Sequence, residues 1–159
     1  MKKVKPLYNT NWSKILLIDP KGKTIMLLTR ATEYALLSLE TISRADKPMG
    51  AEQLATQLSI PKSFLAKILQ SLAKQGILES RKGAHGGFIL AKKIEDISIN
   101  SIIFAAEGKA PAVFDCTSYA GTCPNGTIGS CAISPFLMNF QTKIDSFLNG
   151  LMLSDILEA

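Results

Sequence analysis

Two amphipathic segments joined by a short connector constrain the fold of this chain most strongly. Apolar residues recur at helical spacing over roughly 51–58 and again over roughly 62–75. The connector, residues 59–61, is tight, and Pro61 suits the start of a helix because its missing N–H would be unpaired there. Gly76 supplies the residue that follows the second helix. This pattern predicts a helix-turn-helix.

The segment after the helix pair has the pattern of a β-hairpin. Two short strands are predicted at 77–80 and 88–90, and the residues between them, 81–87, are basic and rich in glycine. Because glycine permits positive φ and a close approach of backbone to a ligand, this hairpin is predicted to be a wing. The other predicted elements are a first helix capped by Thr29, a fourth helix over 98–107, a long last helix from Pro135 and a C-terminal turn over 153–157. The predicted fold class is mainly α with a small β-hairpin wing, a winged helix-turn-helix followed by a long C-terminal helix.

The chain divides into four predicted parts. These are an N-terminal extension over 1–25, the winged helix-turn-helix over 26–95, a helix and cysteine-bearing loop over 96–132, and the last helix and turn over 133–159. Two interpretations of the first part stay open. A small hairpin turns at residues 19–22, or the segment is an extension upstream of a native start at Met26, and we favour the extension.

The net charge of +5 is unevenly distributed along the 159 residues. Residues 1–25 carry six lysines and one acid, which makes +5, so the twelve basic and twelve acidic side chains of 26–159 cancel. Residues 62–93 nevertheless set seven bases against Glu79, a local charge of +6: Lys62, Lys67, Lys74, Arg81, Lys82, Lys92 and Lys93. Such a cluster favours a phosphate-binding face over a merely solvated surface, where the two signs would be mixed.

A helix-turn-helix with a basic wing is typical of DNA-binding proteins, in which the second helix lies in the major groove. The candidates for base or near-base contact are Lys62, Ser63, Phe64 and Lys67. The candidates for phosphate contact, backbone approach or proximity to DNA are Gln70, Lys74, Arg81, Lys82, Gly83, His85 and Gly86. The same pattern also serves in protein-docking modules, but the basic wing favours DNA. An enzyme is not expected, because the chain has one histidine and no phosphate-binding loop.

All three cysteines, Cys116, Cys123 and Cys131, lie in or directly after a stretch rich in Gly, Pro, Ser, Thr and Asn. Their spacing, C-x6-C-x7-C, contains no C-x2-C pair and fits a zinc ribbon poorly. Thiolates on a flexible loop can hold an iron–sulfur cluster, and the alternative is free thiols. The fourth ligand would be a carboxylate, another oxygen donor or nothing, because the only histidine lies in the wing.

Four segments resemble the IscR/NsrR-like family of winged-helix transcriptional regulators with a three-cysteine iron–sulfur loop. They are residues 26–29, residues 60–65, the wing residues 80–88 and the cysteine loop before a long helix. The resemblance spans about residues 26–157. It implies a repressor that binds a palindromic operator in double-stranded DNA. It also implies a [2Fe-2S] or [4Fe-4S] cluster that responds to iron, nitric oxide or redox state.

The same resemblance implies a homodimer and a fourth cluster ligand. The last helix would cross to the partner through a stripe, for which intrachain core is the alternative: Phe136, Phe140, Ile144 and Phe147. In some members a carboxylate from the partner's first helix is the fourth ligand, and the matching position is Glu33. IscR-like members use a histidine where this chain has Ser134. The cysteine spacing is longer than is usual in the family, which leaves the type of cluster open. The alternative is a cluster-free repressor that responds to thiol oxidation or a metabolite.

The sequence favours a cytoplasmic protein without a membrane partner. No apolar run approaches the roughly 20 residues of a membrane helix. The apolar run at 15–18 is shorter than the h-region of a signal peptide, which has about 7–15 residues. Clustered cysteines in a reducing cytosol are more often ligands or redox sensors than structural bridges.

Overall fold

The computed structural model describes residues 17–18, 24–25, 28–83, 86–112 and 131–158. The elements in chain order are β1 (Leu17–Ile18), β2 (Thr24–Ile25), α1 (Arg30–Ser43), α2 (Ala51–Leu58), α3 (Lys62–Lys74), β3 (Leu78–Arg81), β4 (Gly87–Leu90), α4 (Ile99–Glu107), α5 (Ser134–Gly150) and α6 (Leu153–Leu157). This order confirms the predicted fold class, with helices around one core and a two-stranded hairpin beside them. In the described part of the chain, no helix is long and apolar enough to cross a membrane.

Helix α1 begins at the predicted cap. The Thr29 hydroxyl accepts a hydrogen bond from the Ala31 N–H at 3.1 Å, which satisfies one of the unpaired donors of the first turn. The buried stripe of α1 includes Ala35, Leu39 and Ile42. These three side chains pack into the central core with α3 and α4.

Helices α2 and α3 form the predicted helix-turn-helix. Ser59 adopts the left-handed conformation, with φ of 55°, which reverses the chain within three residues. Ile60 is buried, and its N–H donates to the Ala55 carbonyl at 3.0 Å. Pro61 lies at the cap position directly before α3, where no helical N–H is needed. Gly76 follows α3 with φ of 68°, as its predicted role at the helix end requires.

Strands β3 and β4 pair antiparallel from Leu78↔Leu90 to Arg81↔Gly87. Strand β3 is shifted by one residue from its predicted position, and β4 begins one residue early and ends at Leu90 as predicted. A third backbone segment joins them, because Met49 exchanges two hydrogen bonds with Phe88, at 3.1 and 2.9 Å. Gly87 makes this approach feasible, since a Cβ there would lie 2.6 Å from the Met49 carbonyl carbon. The residues before α2 are therefore fastened to the wing.

The C-terminal helices are clamped to the start of α4. Ser98 caps α4 by accepting from the Ser101 N–H at 3.2 Å. The Ile99 N–H donates to the Leu151 carbonyl, and the Leu153 N–H donates to the Ile97 carbonyl, each at 2.8 Å. These bonds place α5 and α6 against α4 across about fifty residues of sequence.

Three details differ from the sequence expectations or extend them. Residues Ile94–Asp96 form a 3-10 turn that the apolar pattern does not predict. The last helix begins at Ser134, one residue before the predicted Pro135, which lies in its first turn. Strands β1 and β2 pair as Leu17↔Ile25 and Ile18↔Thr24, which fits the hairpin alternative for the N-terminal part, whereas its predicted turn at 19–22 lies outside the described residues.

Candidate DNA-binding face and cysteine segment

Helix α3 has one apolar face and one polar face. Its buried side chains are those that the periodicity predicts, Leu65, Ile68, Leu69 and Leu72. Every candidate for DNA contact on this helix is exposed: Lys62, Ser63, Phe64, Lys67, Gln70 and Lys74. The core packing of the four apolar residues therefore determines which side chains face solvent.

The wing turn needs its glycines for backbone reasons. Gly83 has φ of 111°, and the Gly86 N–H donates to the Gly83 carbonyl at 2.9 Å, closing a tight turn. A Cβ on Gly86 would collide with the Arg81 carbonyl oxygen. Arg81 and Lys82 are exposed at the start of this turn. His85 lies outside the described residues, so its place beside DNA stays a prediction.

Two candidate DNA-binding cations are engaged in ion pairs. Lys62 Nζ lies 2.7 Å from Glu52 Oε2, and Arg81 Nε lies 3.3 Å from Glu79 Oε1. The hydrogen bond from Lys62, together with its positive charge, lowers the pKa of the Glu52 carboxyl. Within the described ranges, the exposed Lys67, Lys74 and Lys82 form no ion pair, a set of cations that can meet phosphates directly.

The sequence analysis missed Glu52. Its one local signal is that it is an acid in the first turn of α2, where the helix dipole favours negative charge. The pairing with Lys62, ten residues later, requires the helix-turn-helix geometry, which places the start of α3 beside the start of α2.

Phe64 is packed against another helix on one side and exposed to solvent on the other. Its ring meets the Tyr34 ring edge-on, with centroids 5.8 Å apart and an interplanar angle of 84°, so it packs against α1. It remains 41% exposed, and that surface is free for contact with a thymine methyl group. Phe64 thus packs against α1 and still exposes a surface that is compatible with the predicted base contact.

Helix α5 buries a different face from the predicted aromatic stripe. Leu137, Gln141 and Leu148 point inward, and Ile144 is half-buried against the core. The aromatic members of the stripe are exposed instead: Phe136 at 65%, Phe140 at 37% and Phe147 at 63%. Phe136 and Phe140 stack on one another, with centroids 6.1 Å apart. The intrachain-core alternative is therefore wrong for the three phenylalanines.

Only one of the three cysteines lies among the described residues. Cys131 is half-buried just before α5, and its carbonyl accepts from the Ser134 N–H at 3.1 Å. Cys116 and Cys123 lie outside the described residues, and the described ranges contain no group of three His, Cys, Asp or Glu that could hold a metal ion.

Both ends of the cysteine segment, which we define as residues 113–131, adjoin residues that are hydrogen-bonded to α5. The buried Gln141 amide donates to the Pro111 carbonyl at 2.9 Å, just before the segment. At the other end, the Cys131 carbonyl accepts a hydrogen bond from the N–H of Ser134, the first residue of α5. The described residues on both sides of 113–130 are therefore hydrogen-bonded to α5.

The proposed fourth ligand, Glu33, is exposed on α1 and forms an ion pair with Arg30 at 2.8 Å. A second carboxylate, that of Glu107 at the end of α4, contacts the start of α1. It accepts a hydrogen bond from the buried Thr32 hydroxyl at 2.7 Å and also bonds Thr29. The sequence analysis missed Glu107, because 75 residues separate it from Thr32.

A helix-turn-helix whose exposed face and wing carry cations defines the class of winged-helix, DNA-binding transcriptional regulators. The family model "Rrf2: Iron-dependent Transcriptional regulator" matches residues 28–159, and the chain belongs to this family. The family resemblance inferred from the sequence is thereby confirmed. The chain is a transcriptional regulator and not an enzyme.

Three relatives illustrate the match. The chain is 28% identical to the HTH-type transcriptional repressor NsrR of Streptomyces coelicolor, over 84% of this chain and 90% of that protein. It is 26% identical to the regulator IscR of Yersinia pseudotuberculosis, over 82% of this chain and 79% of that protein. The structure of CymR, the global cysteine regulator of B. subtilis, superimposes with a TM-score of 0.62 at 17% identity, covering 84% of this chain and 98% of that one. This last likeness concerns the fold alone.

Proposed function

We propose that the chain is a homodimeric repressor whose affinity for a palindromic operator is set by an iron–sulfur cluster. The observation that carries the DNA-binding part is the outward face of α3, where every candidate contact residue is exposed. Glu52 lines one depression with Gly86 of the wing and a second with Lys62 of α3, so wing and recognition helix flank the same surface. A major groove can accept α3 while the wing reaches the adjacent backbone.

The aromatic face of α5 supports the dimer. Three large aromatic side chains exposed on one helix face are costly to leave in water, and such patches mark protein interfaces. A second copy of the chain is the occupant that the family resemblance implies. In a dimer the two α3 helices would have to match half-sites about 34–36 Å apart.

The donor set of the cysteine segment fits an iron–sulfur cluster. Cys116, Cys123 and Cys131 can supply three soft sulfur ligands, and Cys131 lies just before the long helix α5. Glu33 is exposed on α1, so its carboxylate is accessible to a second copy of the chain once its ion pair with Arg30 opens. A bound cluster supplies iron that nitric oxide, oxidants or iron loss can attack.

The chain's own hydrogen bonds support coupling between the cysteine segment and DNA. Gln141 links the start of the segment to α5, and Glu107 links the end of α4 to the start of α1. A change in the segment would alter α5 and, through the dimer, the separation of the two recognition helices. A coupling free energy of about 1–3 kcal/mol is enough for a useful switch.

The decisive experiment is anaerobic purification followed by iron and acid-labile sulfide analysis and a visible spectrum. We expect a coloured protein with iron and sulfide, and a variant with all three cysteines changed to Ser that binds neither. Ser130→Ala, next to Cys131, is the matched control and should keep the cluster. A wild-type protein that stays colourless after reconstitution with iron and sulfide would contradict cluster sensing and leave a thiol- or metabolite-responsive repressor.

The fourth ligand has its own test. Glu33→Ala should leave the three thiolates in place but make the cluster more labile to chelators, because one iron would lose its carboxylate. Glu40→Ala, a second acid on α1, serves as the control. Equal rates of iron release from the wild-type protein and Glu33→Ala would remove Glu33 from the ligand set.

A further inference from the structure

The ion pair between Glu52 and Lys62 lies on the DNA-binding face, not at its edge. Lys62 is the first residue of α3, and Glu52 is in the first turn of α2, so the pair bridges the two helices of the helix-turn-helix. The Lys62 side chain is 60% exposed and the Glu52 side chain is 77% exposed. An exposed ion pair of this kind contributes little to the free energy of unfolding. Stability therefore does not account for the contact of 2.7 Å between Lys62 Nζ and Glu52 Oε2, and the position of the pair is what matters.

Position distinguishes this pair from the other ion pairs. Glu79 and Arg81 lie two residues apart on one strand with a longer contact of 3.3 Å, and Glu40 pairs with Arg44 within α1. Glu52 instead lies between the wing turn and the start of α3, lining one depression with Gly50 and Gly86 and another with Pro61 and Lys62. That is the surface a DNA backbone would cross.

We propose that Glu52 is an intramolecular competitor for Lys62. Its carboxylate takes the place of a DNA phosphate at the Lys62 ammonium and so weakens sequence-independent binding to DNA. This inference rests on the proposed DNA-binding function and adds a residue that opposes it. Only a site that offers Lys62 a stronger partner than Glu52 would release the lysine.

The chemistry of the pair supports competition. A carboxylate and a phosphate both accept charge-assisted hydrogen bonds from an ammonium group, so a lysine that satisfies one is less available to the other. The Glu52 carboxyl is ionised at neutral pH, as any exposed glutamate is, and Lys62 lowers its pKa further below the ordinary value. Lys67, one turn further along α3, has no ion-pair partner among the described residues and serves as the reference for an available cation.

The experiment measures binding of full-length protein to a mixed-sequence DNA duplex between about 50 and 200 mM KCl. We expect Glu52→Gln to bind about three- to tenfold more tightly than wild type, with the slope of log K against log salt steeper by about 0.9, as for one additional neutralised phosphate. Glu40→Gln should change neither quantity. A purely stabilising role of Glu52 would alter the unfolding temperature but leave the salt slope unchanged.

Variants of Lys62 make the test specific to the pair. Lys62→Gln alone should change the slope little, because Glu52 already occupies that lysine, whereas Lys67→Gln should reduce it by about 0.9. Adding Lys62→Gln to Glu52→Gln should return the slope to the wild-type value.

Two results would contradict the proposal, and a third would contradict the proposed DNA-binding function on which it rests. Equal slopes and affinities for wild type and Glu52→Gln would show that the carboxylate does not compete. Persistence of the full effect of Glu52→Gln in the absence of Lys62 would show that the pair is irrelevant. If the wild-type protein shows no salt-dependent binding to DNA, the proposed function itself fails and this inference with it.

Discussion

Helices α3 and α5 are both amphipathic, yet their outward faces differ in chemistry. Each buries one face, which in α3 runs from Leu65 to Leu72 and in α5 consists of Leu137, Gln141 and Leu148. The outward face of α3 carries lysines and polar groups, whereas that of α5 carries Phe136, Phe140 and Phe147. Similar inward packing thus leaves two outward faces for which we expect different partners, because charge favours a polyanion and exposed aromatic surface favours another protein.

Removing a core side chain tests the inward packing that α3 and α5 have in common. Leu69→Ala should lower the free energy of unfolding by about 2–5 kcal/mol, since Leu69 is fully buried and the truncation leaves a cavity. Its neighbour on the outward face, Gln70, offers the control Gln70→Ala, which should change stability by less than about 0.5 kcal/mol. Urea denaturation monitored by circular dichroism measures both. Similar losses for the two variants would mean that α3 does not pack as described.

Replacing exposed aromatic residues tests the difference on the side of α5. Phe136→Ser with Phe147→Ser should weaken the proposed dimer by about 2–4 kcal/mol, or about 30- to 1000-fold in Kd, because buried aromatic side chains dominate interface energies. Phe64→Ser, which removes an exposed aromatic from α3, is the matched control and should leave the dimer intact. Sedimentation equilibrium provides the measurement. Loss of the dimer in the α3 variant alone would reverse the assignment of the two faces.

Removing one lysine tests the difference on the side of α3 and has the smallest expected effect. Lys67→Ala should weaken DNA binding by about three- to tenfold at moderate salt and leave the dimer unchanged, as expected for one lost phosphate contact. Lys109→Ala, an exposed lysine after α4, is the control. Fluorescence anisotropy on a labelled duplex gives both affinities, and equal effects would place the DNA-binding face elsewhere.

Much of the fold follows from local signals that the sequence displays. The limits of α1, α2 and α3 follow from Thr29, from the short connector at 59–61 and from Gly76, each of which acts within a few residues of itself. The lysines of α3 are predictable for the same reason, because a helix with four apolar residues on one side must expose the others.

Other features are invisible in the sequence because they depend on long-range packing. The apolar pattern of α5 allows two faces to be buried, and only contact with α4 selects Leu137 and Leu148 over the phenylalanines. Glu107 meets Thr32, and Gln141 meets Pro111, across distances in sequence that no local rule connects. The ion pair of Glu52 with Lys62 likewise exists because a left-handed Ser59 turns α3 back toward the start of α2.

The sequence by itself determined the helix-turn-helix, the basic wing and the three-cysteine segment, because periodicity, turn residues and charge clusters act locally. The tertiary structure decided which face of α5 is buried, which cations of the DNA-binding face are already paired, and which carboxylate meets the start of α1. These outcomes depend on which surfaces exclude water from one another, and only the packed chain settles that competition.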